Sequence, residues 1–192
     1  AFQDYFRTVI EMKYRLMPYV YAQSKQAAEK GLPMTRALFI EFPQDPGSWL
    51  VDNEYLFGSD LLVAPLFEEG RTRREVYLPP GQWIDFQTGK TYPAGWHIIE
   101  ASKIDAIILV RDGALIPQMK PAQSTQDLDW SNLELVAYST GKEAKGYLFF
   151  PGDTVLRTIT AAKNGKTWAW KAGDLPPGRL IRVITYPMVV AE

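Results

Sequence analysis

Cysteine is absent from this chain of 192 residues, and histidine occurs once, as His97. Without cysteine the chain has no disulfide, no thiol nucleophile and no zinc–thiolate site. A catalytic triad or a histidine-based metal site would have to be built around His97 alone. No apolar run approaches the ~20 residues that cross a bilayer, and no signal-peptide pattern opens the chain. These absences leave carboxylates and aromatic rings as the side chains to examine for function.

An excess of charge of one sign is also missing. The 21 basic and 22 acidic residues give a formal net charge of -1, and "RTRR" at 71–74 is the one basic block that stands out. Such a balance creates no field that would attract a phosphate backbone or an anionic membrane. We therefore expect neither nucleic acid nor membrane as a partner, and the sequence assigns no compartment.

Hydrophobic residues make up 46% of the chain, enough for a packed core. Helical spacing predicts one long helix over 2–30, with Gly31 and Pro33 as stop signals and Pro18 expected to kink or divide it. The apolar positions are Phe2, Phe6, Val9, Leu16, Val20, Ala27 and Ala28. The run "PMTRALFIEFP" at 33–43 predicts one strand buried on both faces, as in a parallel sheet. A helix followed by such a strand is half of a βαβ crossover, and the chain begins with Ala rather than Met, so we expect a preceding part to be missing.

After Pro43 the pattern becomes β-rich. Short strand-like runs alternate with turn signals, which predicts antiparallel sandwiches or barrels. The polar stretch 118–132 is interpreted as the junction between two small β domains. The predicted strands are 61–67, 73–79, 82–87, 96–101 and 105–117 before it, and 133–139, 144–152, 154–165, 166–172 and 179–187 after it.

Four carboxylates invite a catalytic interpretation, because glycoside hydrolysis uses two of them flanking one bond. Glu41 lies near the end of the predicted buried strand, where a barrel enzyme places functional groups, and the others are Asp45, Asp52 and Glu54. Arg36 on the same segment favours a structural interpretation, since a buried arginine requires acidic partners. His97 is interpreted as a structural histidine. Ser59 beside Asp60 is interpreted as a turn, because neighbours on a strand point to opposite faces.

Tryptophan rings could form a platform for a sugar. Trp168 and Trp170 share one face of a predicted strand and are interpreted as core residues. Trp83, Trp96 and Trp130 lie near turns. For Trp96 and Trp130 the choice between core and platform stays open.

A series of motifs resembles the C-terminal part of glycoside hydrolase family 31, the α-glucosidase and α-xylosidase family. The resemblance covers about residues 5–117 and includes "RLMPY", "PMTRALFIEFPQD", "EYLFGSDLLVAPL", "VYLPPGQWID", "TG" and "VRDGALIP". These stand at 15–19, 33–45, 54–66, 76–85, 88–89 and 110–117. Ala37 replaces the proline common after the strand arginine, a small departure.

The resemblance implies a mainly β fold: the last helix and strand of a (β/α)₈ barrel in 1–52, a proximal antiparallel β-sandwich in 53–117 and a distal one in 118–192. It implies a parent retaining α-glycosidase, with α-xylosidase preferred, that hydrolyses terminal α-linked xylose or glucose. The family's nucleophile and acid/base aspartates precede the present helix and map to no residue here. We therefore assign no catalytic, cofactor-binding or metal-binding residue and no cofactor, and expect the chain alone to be inactive.

Two alternatives stay open. A stand-alone carbohydrate-binding β module would leave 2–42 unexplained. An independent enzyme would use Glu41 with Asp45 or Asp52 and Arg36. For partners, we expect an oligosaccharide to be bound through the missing barrel, and the apolar segment 2–42 to self-associate or to fold back on the proximal sandwich.

Overall fold

Two consecutive helices open the chain in the computed structural model, which describes residues 2–165, 167–171 and 180–185. Helix α1 spans Phe2–Arg15 and α2 spans Met17–Lys30. Pro18 lies in the first turn of α2, where its missing N–H breaks no intrahelical bond. Gly31 ends α2 in the left-handed conformation, with φ 67°. The predicted division at the proline and the predicted stop are both confirmed.

The division changes which side chains are buried. Helix α1 buries none, and the side chains that α2 buries are Pro18, Tyr19, Ala22, Gln23 and Gln26. The predicted face of α2, with Val20, Ala27 and Ala28, was wrong, because these residues are only half-buried or exposed. Leu16 between the helices has ψ 3°, far from the helical value of about −42°. The periodicity of one continuous helix therefore does not carry over into the second. Among the described residues, no helix has the length and apolar character that crossing a membrane requires.

The segment 33–43 is not the predicted long buried strand. Strand β1 is only Thr35–Arg36, and helix α3 follows at Leu38–Glu41. Of the residues in this segment, Arg36 and Leu38 are buried. The paired strand β2, Tyr55–Phe57, runs antiparallel to β1. The prediction was wrong because a short apolar run cannot be assigned to strand or helix by periodicity alone.

The first sheet has the order β1-β2-β3-β6-β4-β5, with antiparallel pairing throughout its described ladders. The predicted strands 73–79 and 82–87 form one long strand, β4, whose register shifts between Leu78 and Gln82 at the "PPG" sequence. The short helix α4, Pro46–Leu50, precedes the sheet's second strand. The remaining strands are β3 Leu61–Pro65, β4 Arg73–Asp85, β5 Thr91–Glu100 and β6 Ala106–Arg111.

The second sheet has the order β11-β10-β9-β7-β8-β12. Two of its pairs, β7 with β9 and β8 with β12, are parallel, so it is mixed rather than purely antiparallel as expected. Helix α2 packs against β7 and β9. A 3₁₀ turn at Thr125–Asp127 lies between β7 and β8. The strands are β7 Ala114–Met119, β8 Asn132–Tyr138, β9 Glu143–Leu148, β10 Arg157–Asn164, β11 Thr167–Lys171 and β12 Leu180–Thr185.

The described residues divide into two units, one of 32–112 and one of 2–31 with 113–185. Each unit has its own core, the first around Leu56, Leu62 and Trp83 and the second around Leu133, Leu148 and Phe150. The predicted strand 105–117 is two strands in different sheets, separated at Asp112 and Gly113, where Gly113 has φ 83°. The predicted boundary at 117/118 thus falls inside β7. The mainly β fold is confirmed, while the division into barrel end, proximal sandwich and distal sandwich stays a prediction.

Candidate functional site

The carboxylate of Glu41, at the end of α3, lies between two guanidinium groups of the same unit. Its Oε2 is 3.6 Å from Nη2 of Arg36, and its Oε1 is 3.3 Å from Nη2 of Arg111. The Arg36 side chain is only 4% exposed. The guanidinium of Arg111 also lies over the rings of Phe42 and Trp83, at 4.8 and 5.7 Å from their centroids. Glu41 therefore balances charges that burial would otherwise penalise.

Asp45 caps helix α4. Its Oδ2 accepts hydrogen bonds from the Ser48 backbone N–H at 3.2 Å and the Ser48 hydroxyl at 2.6 Å. The Tyr77 hydroxyl donates to the same carboxylate, 2.9 Å from Oδ1 and 2.8 Å from Oδ2. Burial alone would raise the pKa of Asp45, but the hydrogen bonds from Ser48 and Tyr77 outweigh it and hold the pKa below its usual value. Asp45 is thus an ionised N-cap.

Glu54 has the opposite electrostatics. It is buried, and its Oε1 accepts from the Tyr77 backbone N–H at 3.0 Å, while Oε2 has no hydrogen-bond partner among the described residues. Burial raises the pKa of Glu54 to about 7, and the bond from Tyr77 and the charge of Arg74 oppose that rise. Asp52, by contrast, is exposed.

The partners of these carboxylates favour the structural interpretation. A retaining glycosidase needs two carboxyl groups about 5–5.5 Å apart, one on each side of the bond it cleaves. Here Glu41 is bound to two arginines, Asp45 to a helix terminus and a tyrosine, and Glu54 to a backbone amide. In the part of the chain that the structure describes, no three His, Asp or Glu side chains are grouped to hold a metal ion. Glu41, Asp45, Glu54 and the partners just named, here called the cluster, all lie within the unit of 32–112.

His97 and Ser59 take the structural roles expected of them. The His97 Nε2 lies 2.8 Å from the carbonyl oxygen of Pro93, and its ring packs edge-on against Tyr92. The Ser59 hydroxyl donates to the Asp60 carboxylate at 2.6 Å, in the turn before β3.

The tryptophans separate into core and surface. Trp168 is buried and Trp170 packs partly buried against the same core, as predicted. Trp83 is fully buried and donates its indole N–H to the Pro79 carbonyl at 2.9 Å. Trp130 packs against Tyr21 and Phe150. Trp96 remains 55% exposed.

Sequence reasoning missed two residues that organise the cluster. Tyr77 binds Asp45 and Glu54 through its hydroxyl and its backbone, and Arg111 is the second partner of Glu41. Both lie inside motifs used for the resemblance, "VYLPPGQWID" and "VRDGALIP". Nothing in the sequence pairs them with residues 32 and 70 positions away, since that depends on the folded chain.

Comparison with known proteins identifies the family. Residues 31–116 match the Glycosyl hydrolase family 31 C-terminal domain. The isomaltosyltransferase of Sporosarcina globispora is 36% identical over 121 residues, which cover 62% of this chain and 11% of that protein. The lysosomal α-glucosidase of Bos taurus is 32% identical over 166 residues, 77% of this chain and 18% of that protein.

Solved structures agree. The GH31 α-xylosidase from Xanthomonas citri superposes with a TM-score of 0.72 at 26% identity, covering 91% of this chain and 21% of that one. The chain thus spans about a tenth to a fifth of the length of these relatives. The matched domain, the aligned relatives and the shared fold together show that the chain belongs to glycoside hydrolase family 31 and corresponds to its C-terminal part.

Proposed function

We propose that this chain is the C-terminal part of a retaining α-glycosidase that removes terminal α-linked xylose or glucose, and that the chain by itself is structural and inactive. The observation that carries the proposal is the match of 31–116 to the family's C-terminal domain. The family resemblance implies that both catalytic aspartates belong to barrel segments that precede the first helix. A covalent glycosyl-enzyme cannot form without them.

The surroundings of the candidate carboxylates support inactivity. A nucleophile must present a free oxygen to the sugar, but Glu41 faces Arg36 and Arg111, and Asp45 holds Ser48 and Tyr77. Glu54 has a pKa suited to a general acid, at about 7. It is only 4% exposed, however, so a substrate oxygen cannot reach it.

Within the class, α-xylosidase is the preferred specificity. The run "MTRALFIEFPQDP" resembles bacterial α-xylosidases more than eukaryotic maltases, and the GH31 α-xylosidase from Xanthomonas citri is among the structures that superpose on this chain. On this proposal the oligosaccharide is bound by the barrel of the parent enzyme. The chain's role is to close and support that barrel.

The proposal also includes self-association of the isolated chain. Helix α1 buries no side chain, and Phe2 and Phe6 are 79% and 56% exposed with their rings stacked 6.2 Å apart. Covering an apolar helix face of this kind with another surface is favourable, because it removes apolar area from water.

Hydrolysis by the isolated chain is the direct test. The folded chain, checked by circular dichroism, is incubated at high concentration with aryl α-xyloside and aryl α-glucoside, and we expect no release above that of buffer. Sustained turnover that disappears in Glu41→Gln but persists in Asp52→Asn would show that a working site lies within these residues. That result would refute the structural role and support an independent enzyme.

A further inference from the structure

An open groove of about 420 Å³ lies on the unit formed by 32–112. Its walls come from the loop after β3, the first half of β4 and the outward face of β5. Two large apolar side chains stay exposed there, Phe67 at 71% and Trp96 at 55%. Polar side chains line the rest, among them Asn53, Glu68, Arg71, Arg73 and Glu75.

The Trp96 ring packs on Tyr77 of the neighbouring strand, which restricts its position. It is directly opposite Tyr77 in the β4–β5 ladder, and the two ring centroids are 5.2 Å apart at an interplanar angle of 55°. Tyr77 is itself fixed, because its hydroxyl binds Asp45. A Cβ at Gly47 would lie 2.2 Å from the Tyr77 ring, so only glycine allows helix α4 to approach the ring this closely. The platform is therefore pre-ordered, which reduces the entropy lost on binding.

Polar side chains on β4 line the same groove as the Trp96 ring. Alternate residues of a strand share a face, so Arg73, Glu75 and Tyr77 point to the same side of β4. Both Arg73 and Glu75 are exposed. Their mixture of donors and acceptors can bond to hydroxyl groups in either direction.

The charges of the groove are nearly balanced. Three arginines and two glutamates line it. Arg71 is paired with Glu68 at 2.7 Å. Arg74 donates to the carbonyl oxygens of Asn53 and Pro65, and its guanidinium lies 5.6 Å from the centroid of the Phe67 ring. Such a groove has little net attraction for an anion.

We propose that this groove is a binding site for a neutral oligosaccharide, with Trp96 as the stacking platform and Arg73 and Glu75 as hydroxyl partners. The C–H groups on one face of a pyranose carry partial positive charge and suit the negative face of an indole ring. The proposal concerns binding alone, so its failure would leave the proposed glycosidase role standing.

The test uses the full chain and two neutral probes, maltoheptaose and a xyloglucan heptasaccharide. Each is titrated while the tryptophan indole N–H signals are followed by NMR, with inorganic phosphate as the anionic probe. The matched control is Trp49→Ala. Trp49 lies in the same unit, is 58% exposed and packs on Phe39, yet does not line the groove.

We expect at least one neutral probe to shift the Trp96 signal, Trp96→Ala to lose binding at least tenfold, and Trp49→Ala to keep it. Glu75→Ala, at an exposed position that should not disturb folding, should weaken binding several-fold and serves if Trp96→Ala does not fold. Absence of binding by both oligosaccharides, or equal binding by Trp96→Ala or Glu75→Ala, overturns the proposal. Displacement of the oligosaccharide by phosphate would overturn its neutral character.

Discussion

Replacing Glu54 by glutamine should remove a pH-dependent loss of stability from the unit of 32–112. Burial raises the pKa of Glu54 from 4.5 to about 7 in the folded chain. Between these two values the unfolded chain has released the proton while the folded chain still holds it. The free energy of unfolding must therefore fall as the pH rises through this range, and the loss is complete above pH 7.

The size of the effect follows from the shift. A pKa that rises from 4.5 to about 7 corresponds to about 3 kcal/mol. Glutamine cannot ionise, so the unfolding free energy of Glu54→Gln should not show this pH-dependent loss. Its amide oxygen can still accept from the Tyr77 N–H, but its NH₂ group replaces an oxygen that has no hydrogen-bond partner among the described residues. A buried donor left unpaired costs about 1–3 kcal/mol, and that cost is the same at all pH values.

The assay is therefore the pH dependence of stability. Urea unfolding is followed through the indole N–H of Trp83, which is buried in the same unit. From about pH 4 to about pH 8, the unsubstituted chain should lose about 3 kcal/mol relative to Glu54→Gln. The control Glu69→Gln changes an exposed loop position and should behave like the unsubstituted chain. Parallel curves for the unsubstituted chain and Glu54→Gln would refute the reasoning.

Two further predictions concern the unit that contains helices α1 and α2. A Cβ at Gly146 would lie 2.0 Å from the Leu115 carbonyl oxygen, so Gly146→Ala should lower stability by about 2 kcal/mol or more by forcing β7 and β9 apart. The control Gly141→Ala, whose Cβ would lie 3.6 Å from the nearest atom, should change stability little. Equal thermal denaturation of the two variants would contradict the close approach of β7 and β9 at Gly146. Phe6→Ser should weaken self-association of the chain in sedimentation velocity, because it interrupts the exposed apolar face of α1. The control Leu50→Ser, at an 84% exposed position in the other unit, should leave self-association unchanged. If Phe6→Ser also leaves self-association unchanged, the apolar face of α1 is excluded as the contact.

Local signals in the sequence predicted most of the secondary structure. Pro18 and Gly31 act through their own backbone chemistry, which needs no tertiary partner. The β-rich runs became strands nearly where predicted, because alternation and turn residues are local properties. The prediction of a buried strand at 33–43 was wrong, because the apolar residues there fit a strand or a helical turn equally well. The prediction of which α2 side chains are buried was wrong, because Leu16 breaks the helical periodicity between α1 and α2.

The site shows the same division between local and long-range information. The sequence identified Glu41 and Arg36 as partners because they lie close along the chain. It could not find Arg111 or Tyr77, whose contacts depend on which strands pair and in what register. The exposure of Trp96 was likewise undecided, since a tryptophan near a turn occurs both in cores and on surfaces.

By itself the sequence determined the family, the mainly β fold and the positions of most strands, because motifs, turn residues and alternation are written in neighbouring residues. Tertiary structure alone decided that β6 and β7 enter different sheets, that burial raises the pKa of Glu54 to about 7, and that Tyr77 supports an exposed Trp96. Each of these depends on groups brought together from distant parts of the chain, and on the exclusion of water when they meet.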